Sequence, residues 1–508
     1  MAKKNMVFAN GAMGLLSQMM TLLFTFVTRN LFIKYIGMEI LGLNGTFTSV
    51  LSTLSLAELG FQSAIVYSLY KPLHDQDTQS INAVMNIFKL IYRFVGGFFV
   101  AASFAILPFL RFVLKGIEVG PTIYFYFLLQ AAASSCTYFL AYKRAILYAD
   151  QREYVSKTID MVVNVVSNIL QCIALGVLRS YVGYLLIRIV QVIVSNVIVH
   201  GYCSKHYPYL KKTELDKEKL REIWKNVKNI FAGRIASYIY TSTDNLVIST
   251  FVSTITVGFL VNYTTVTNSM KTLTNSMLSP IIPSIGNFLI EEQDGAKRER
   301  MLLLYTHIRY IIAVLLLVPV VVLIDNFITW WIGADMILAK TITYLLVADF
   351  YIHLVHSATA DFINGAGLFR FERNINIAGA VCNIVTSLIL VHFVSVEGVL
   401  IGTVLSQMVF WAGRSYVVYS KCINGVKKRY AKYWLRNLFY VVVMVLGCLL
   451  CRFGYSLLPI SNILLRFVAG GVMCEVLLVI YLGVVFFRFD EQKVLLNKVK
   501  GILKRKRA

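Results

Sequence analysis

Apolar stretches of about 20 residues or more recur along the whole chain, separated by short polar segments. Each is long enough to cross a hydrocarbon layer of roughly 30 Å. Backbone in lipid finds no water to bond, so only helices and closed barrels can cross. The runs are continuous and do not alternate with period 2, which selects helices. The pattern predicts about fourteen spans, near 7–35, 40–70, 83–113, 121–142, 156–178, 181–203, 229–252, 256–289, 305–332, 338–365, 373–394, 397–419, 437–457 and 463–487.

Composition agrees with the pattern. The 508 residues are 57% hydrophobic and 15% charged, with a mean hydropathy of +0.68; soluble domains run near 45–50% and about 25%. The opening Met1-Ala2-Lys3-Lys4-Asn5 resembles a signal n-region, but no small-residue cleavage site follows, and a retained first helix is expected.

The formal charge of +23 invites a nucleic-acid reading until its distribution is considered. Basic residues crowd alternate loops: Lys205 to Lys228, Lys421 to Arg436, the tail from Arg488 to Arg507, and smaller sets around Arg144 and Arg298. The intervening loops hold little beyond Lys34, Arg111, Lys115, Arg179, Lys340 and Arg452. This is the positive-inside pattern. It predicts a multi-pass protein of the cell membrane with both termini and the 204–228 loop in the cytoplasm, and no nucleic-acid partner. The basic tail also suits anionic headgroups. No loop exceeds about 30 residues, so no soluble domain is expected.

The eight cysteines are scattered, and the only close pair, Cys448 and Cys451, lies inside an apolar helix without a nearby histidine. Packing is expected of them, with no zinc or thiol chemistry.

The two halves resemble each other weakly. Asn30-Leu31-Phe32-Ile33 precedes Gly42-Leu43-Asn44-Gly45-Thr46-Phe47, and Asn245-Leu246-Val247-Ile248 precedes Gly258-Phe259-Leu260-Val261-Asn262-Tyr263, an offset of about 215 residues. The expected fold is therefore an all-α polytopic membrane protein with two pseudo-symmetric six-helix lobes plus two C-terminal helices. The lobes would be 1–204 and 229–425, joined by a basic linker at 205–228 and followed by two helices and a tail at 426–508. Transporters built from repeats bind substrate near the midplane, between them.

Charges within the spans cost ~2.5–3.5 kcal/mol or more, so each needs a reason. Arg234, Ser237, Thr241 and Asp244 form a stripe along the seventh helix. Asn10, Ser17, Thr21, Thr25 and Thr28, with Arg29 at the end, form a neutral counterpart on the first. Glu58 lies deep in the second helix and Lys271 deep in the eighth, so each half carries one acid and one base on its first two helices. Such groups line a watery cavity or bind neighbouring helices. On the tenth helix Asp349, His353 and His356 share a face; proton relay, interhelical bonding and, more weakly, metal binding are open to them. Pro280, Pro283 and Gly286 predict a bend in the eighth helix.

Several segments together resemble the Wzx-type polysaccharide flippases of the multidrug/oligosaccharidyl-lipid/polysaccharide exporter group. They are Gly42 to Gly45, Leu54-Ser55-Leu56-Ala57-Glu58-Leu59-Gly60, Ser63 to Ile65 and Tyr67 to Leu73, then Thr243 to Ser249, and finally Gly367-Leu368-Phe369-Arg370 with Glu372-Arg373, Asn383 to Val385 and Gly398 to Thr403. The resemblance spans essentially the whole chain. It implies movement of a polyprenyl-pyrophosphate-linked oligosaccharide from the cytoplasmic to the outer leaflet, for cell-surface polysaccharide export, by alternating access of the lobes. Its implied partners are that substrate, membrane lipid, H+ or Na+, and polysaccharide polymerase machinery, with no cofactor. A pyrophosphate needs cations in a wet cavity, and Arg29, Arg234 and Lys271 are the candidates. Asp244, Glu58, Asp349 and His353 are the candidates for ion coupling.

Two other functions fit a multispanning chain. A drug/cation antiporter of the same fold would want an acidic, aromatic cavity, whereas the cations here favour an anion. A membrane polysaccharide polymerase or ligase would want a large outer loop with arginine or histidine, and the outer loops here are short. No nucleotide-phosphate loop is present, and a non-enzymatic transporter is expected.

Overall fold

The structure, a computed structural model, describes residues 2–55, 66, 68–69, 72–150, 152–211, 243–278, 281–423 and 427–495. Among these the protein is helical throughout, with no strand. Glu58, Arg234, Ser237, Thr241 and Pro280 lie outside the described residues. The chain divides into two compact units, 1–262 and 263–508.

Unit 1 contains α1 (Ala2–Tyr35), α2 (Met38–Leu54), α3 (Thr78–Ile106), α4 (Pro121–Leu140), the short α5 (Arg144–Ala149), α6 (Glu153–Gly176), α7 (Tyr181–His206) and α8 (243–251). The first turns of α9 (Thr254–Leu278) also belong to it. Helix α1 packs along α6, α6 on α7, α7 on α4, and α4 on α3 and α2. Helices α3 and α7 start where short polar side chains satisfy free N–H groups. Asp77 accepts from the Ser80 N–H at the start of α3, and Ser180 from that of Gly183 at the start of α7.

Asn44 and Gly45 show what the glycine-rich motif does. Tyr181 of α7 donates to the Asn44 amide oxygen at 3.2 Å, and Gln130 of α4 donates to Thr48 at 2.8 Å. These bonds tie α2 to two neighbours through the buried Gln130 and Tyr181, beside an apolar core of Phe47, Phe88 and Phe127. At the same end, α2 meets α9 backbone to backbone. A Cβ on Gly42 would lie 2.1 Å from the Thr254 carbonyl oxygen, and one on Gly258 would lie 3.1 Å from the Gly42 nitrogen. The turn between α8 and α9 is stitched down as well: Ser249 donates to the Val113 carbonyl at 2.7 Å, and Lys115 to that of Phe251 at 2.7 Å.

Unit 2 holds the rest of α9, then α10 (Ile281–Glu291), α11 (Gly295–Ile332), α12 (Lys340–Gly365), α13 (Phe369–Val417), α14 (Lys427–Ser456) and α15 (Ile463–Val485). Helix α12 packs against α10, α11 and α13, while α11 carries α14 and α15 on another side. The α13 backbone reverses at Val394 and Ser395, the latter at φ 54° and ψ −128°. It is thus two antiparallel helices, as the spans expected at 373–394 and 397–419 require. Gly398 and Gly402 permit the close return, because a Cβ on Gly398 would lie 2.3 Å from the Leu390 carbonyl oxygen.

Seven helices are long and apolar enough to cross a membrane, or eight if the pair bent by 44° around residue 140 counts as one span, among the described residues. Of the apolar window of α15 only 22% is buried by protein, so most of this surface needs lipid.

At one end of unit 2, Arg298 donates to the carbonyls of Leu289, Glu292 and Cys422 at 2.5, 2.5 and 2.9 Å, pinning the α10–α11 turn to the end of α13. Near that end His307 bonds Tyr440 at 2.9 Å and Gln492 at 3.1 Å, while Arg436 pairs with Glu491 at 2.7 Å. The residues just after α15 are thereby anchored to α11 and α14.

Candidate functional site

A line of polar side chains runs through the interior of unit 2. It begins at Lys271 on α9, whose ammonium donates to Asp349 Oδ2 at 2.6 Å. The other Asp349 oxygen accepts from Gln407 Nε2 at 2.7 Å. The Gln407 amide oxygen lies 2.8 Å from His356 Nε2, so that nitrogen carries the proton. His356 Nδ1 is then the acceptor facing Arg414 Nη1 at 3.1 Å. Arg414 grips Glu372 with Nε and Nη2, the shorter contact being 2.5 Å, and reaches Asn376 at 3.0 Å.

Helix geometry explains why these side chains meet. Asp349, His353 and His356 lie four and three residues apart on α12, hence on one face. Gln407 and Arg414 are seven apart on the returning half of α13, two turns along one face. The α13 hairpin then brings Glu372 and Asn376 of its outgoing half opposite Arg414.

The middle of the line and its Lys271 end differ. Asp349, His356 and Gln407 are buried, whereas the Lys271 side chain keeps 23% of its surface exposed and its ammonium lies 5.6 Å above the Phe350 ring. A cation held by one carboxylate and still open to a visitor can exchange that partner for another anion. His353 follows Asp349 by one turn, half-buried, with its ring 5.7 Å from that of His356.

Of the residues singled out in the sequence, the structure joins Lys271 to Asp349 and sets His353 beside them on α12. Arg29 lies in α1 near Tyr184 of α7. Asp244 lies in α8, next to Asn245, which donates to Ser49 of α2 at 3.1 Å. Arg234 and Glu58 are outside the described residues. The acid that holds Lys271 is thus Asp349, from α12, three helices further along the chain. Sequence reasoning missed Gln407, Arg414, Glu372 and Asn376; Glu372 stood in a family motif with no role attached.

It also missed a second buried cluster. Arg309 of α11 pairs with Asp361 of α12 at 2.5 Å, and Tyr305 donates to the same carboxylate at 2.7 Å. Arg309 also reaches the Leu354 carbonyl at 3.3 Å. With the Arg309 side chain only 4% exposed, this is a clamp between two helices and is closed to ligands. In unit 1, Arg144 makes two bonds to Asp160, at 2.7 and 2.8 Å, and one to Asn196 at 2.9 Å. Among the described residues no three His, Cys, Asp or Glu side chains converge to hold a metal ion.

The architecture is that of a known class of membrane transporters. The lipid II flippase MurJ, in an inward closed conformation, superposes with a TM-score of 0.67 over 94% of this chain and 98% of that one, at 12% identity. An inward-facing multidrug resistance MATE family transporter of the MOP superfamily gives a TM-score of 0.61 at 17% identity, covering 78% of this chain and 94% of that one. An outward-facing MATE transporter of the same superfamily gives 0.56 at 16% identity, covering 82% and 94%. At such identities the likeness establishes the fold: a polytopic helical membrane protein of the MurJ and MATE architecture. No protein-family profile matches the sequence, and no curated protein matches it.

Proposed function

We propose that the protein is a flippase, not an enzyme, that carries a polyprenyl-pyrophosphate-linked oligosaccharide from the cytoplasmic to the outer leaflet of a bacterial cell membrane. The oligosaccharide would there pass to polysaccharide polymerase machinery. The observation that carries the reading is Lys271, an ammonium within a MurJ-like fold, held by one acid and still partly exposed. Arg29 and Arg234 are the further cations of the proposed substrate site, on the first and seventh helices of the repeat.

Ion coupling follows from competition. Lys271 can hold the Asp349 carboxylate or a substrate phosphate. A proton taken up by Asp349 neutralises the carboxylate and frees the ammonium. Proton uptake and anion binding thereby favour each other, and the linkage is reciprocal. Gln407 and His356 hold Asp349 in place during the exchange. Glu58, Asp244 and His353 are secondary candidates for the coupling ion, H+ or Na+.

The test is leaflet transfer of labelled lipid-linked oligosaccharide in vesicles containing the purified protein, with and without an imposed proton or sodium gradient. Transfer no faster than in empty vesicles overturns the proposal. Gradient-driven movement of an organic cation without lipid transfer assigns the drug/cation antiporter, the function that the MATE likeness would favour.

A further inference from the structure

At the end of unit 2 opposite Arg298, a cavity of about 180 Å³ opens between α11, α12 and α14. Its charged lining is Asp325 of α11, Lys340 of α12 and Arg452 of α14, and none of the three forms an ion pair among the described residues. Asp325 is half-buried, while Lys340, the first residue of α12, and Arg452 are exposed; an unpaired charge on a membrane helix marks a ligand site by default.

Two hydroxyls make the case more specific. Thr343 lines the cavity and is only 5% exposed, yet its Oγ1 has no hydrogen-bond partner among the described residues. The Tyr455 hydroxyl, on the α14 wall, is likewise buried and without a partner. Packing fixes that ring: the Arg466 guanidinium lies 4.9 Å from its centroid, and a Cβ on Gly470 would lie 2.6 Å from it. A buried hydroxyl left unsatisfied is costly, and a ligand oxygen reaching either group would relieve that cost.

Two cations and two waiting hydroxyls fit a phosphate group. The site's net charge of +1, from Lys340, Arg452 and Asp325, matches a singly charged phosphodiester. Asp325 opposes a free dianionic phosphate but welcomes a headgroup with an ammonium or hydroxyl beyond the phosphate. The walls also include Val321 and Val322, and Asp325 sits seven residues, about 10 Å, before the end of α11. At about 30 Å³ per water in the liquid, the space would otherwise take about six waters, enough room for a phosphoethanolamine-sized group.

We propose that this cavity binds the phosphodiester headgroup of a membrane phospholipid, away from the Lys271 line, with Lys340 and Arg452 as charge partners and Thr343 and Tyr455 as donors. The test uses the full-length protein in detergent and follows its Tm as short-chain lipids are added. Dioctanoyl phosphatidylglycerol and phosphatidylethanolamine are expected to raise Tm saturably, and neutral dioctanoylglycerol is not. Arg452→Ala, at an exposed position, and Lys340→Ala should each weaken the apparent affinity about tenfold, as loss of one charge-assisted contact predicts. Arg452→Lys should recover part of it. Equal shifts with dioctanoylglycerol, unchanged affinities in both alanine variants, or no saturable shift with any lipid would each overturn the site. Inorganic phosphate acting at the same concentrations as the lipids would overturn the lipid as its occupant.

Discussion

Replacing Lys271 by methionine keeps the length and most of the apolar volume of the side chain while removing its charge. Asp349 would then be a buried carboxylate that keeps its hydrogen bond from Gln407 but has lost its ammonium partner. Breaking a buried pair from one side costs about 3–5 kcal/mol, since the other charge is left uncompensated. The 23% exposure of the Lys271 side chain lets water screen the pair, which places the expectation at the bottom of that range, about 3 kcal/mol. Lys271→Met with Asp349→Asn removes both charges and should recover all but about 1 kcal/mol, so the coupling is about 2 kcal/mol plus whatever Asp349→Asn costs alone. Unfolding of the purified protein in mixed micelles measures all four members of the cycle, and vesicle transfer of the lipid-linked substrate is measured alongside. The proposed role requires the double variant to be stable and inactive. A double variant that regains both stability and transfer would reduce the pair to a structural tie. A single variant as stable and as active as the parent would remove the pair from both accounts.

Three other outcomes are expected. Arg309→Ala should cost about 3–5 kcal/mol, because Asp361 is left charged in the core; membrane abundance and unfolding in micelles check this, and an unchanged protein would show that the clamp bears no load. Ser395→Gly should stabilise by about 1 kcal/mol in the same unfolding measurement, since Ser395 holds a positive φ that glycine adopts without strain; a clear loss of stability would contradict the strained turn. For Glu491, burial pushes the carboxyl up, but the hydrogen bond and charge of Arg436 outweigh it and hold the carboxyl below its ordinary value. A depressed carboxyl contributes stability above its unfolded pKa of about 4.3 and loses it as pH falls through the folded value. The gap between parent and Glu491→Gln should thus stay constant from about pH 8 to pH 5 and close in stronger acid, where a gap that persists would refute the pairing.

The helices were legible because lipid imposes a length and a composition on every span. Even the reversal at Val394 and Ser395 lay between two expected helices, although no glycine or proline marks it. The candidate site was legible in one respect: Asp349, His353 and His356 recur at helical spacing on a single element. Their partners could not be read in the same way. In water a polar stripe shows which face looks inward or outward, but a helix in lipid is apolar on both, so hydropathy says nothing about which side of α13 meets α12. Gln407 therefore looked like one polar residue among many. Arg414 and Glu372, near helix ends, were indistinguishable from charges that merely orient a chain. The Arg309 and Asp361 clamp escaped for a related reason, since its two halves lie on different helices 52 residues apart.

The meeting of Gly42 and Gly258 involves positions that correspond in the sequence repeat, so each is in effect pressed against its own copy. In most tight contacts a larger residue on one side can be accommodated by a smaller one opposite. Here that remedy is already spent, because both sides carry hydrogen. A methyl added to Gly42 would strike the Thr254 backbone oxygen, which no side-chain exchange at position 258 can move. The two sites therefore have no compensating partner substitution. Among otherwise interchangeable apolar residues, they are where the sequence has least freedom to drift, even though neither carries any chemistry.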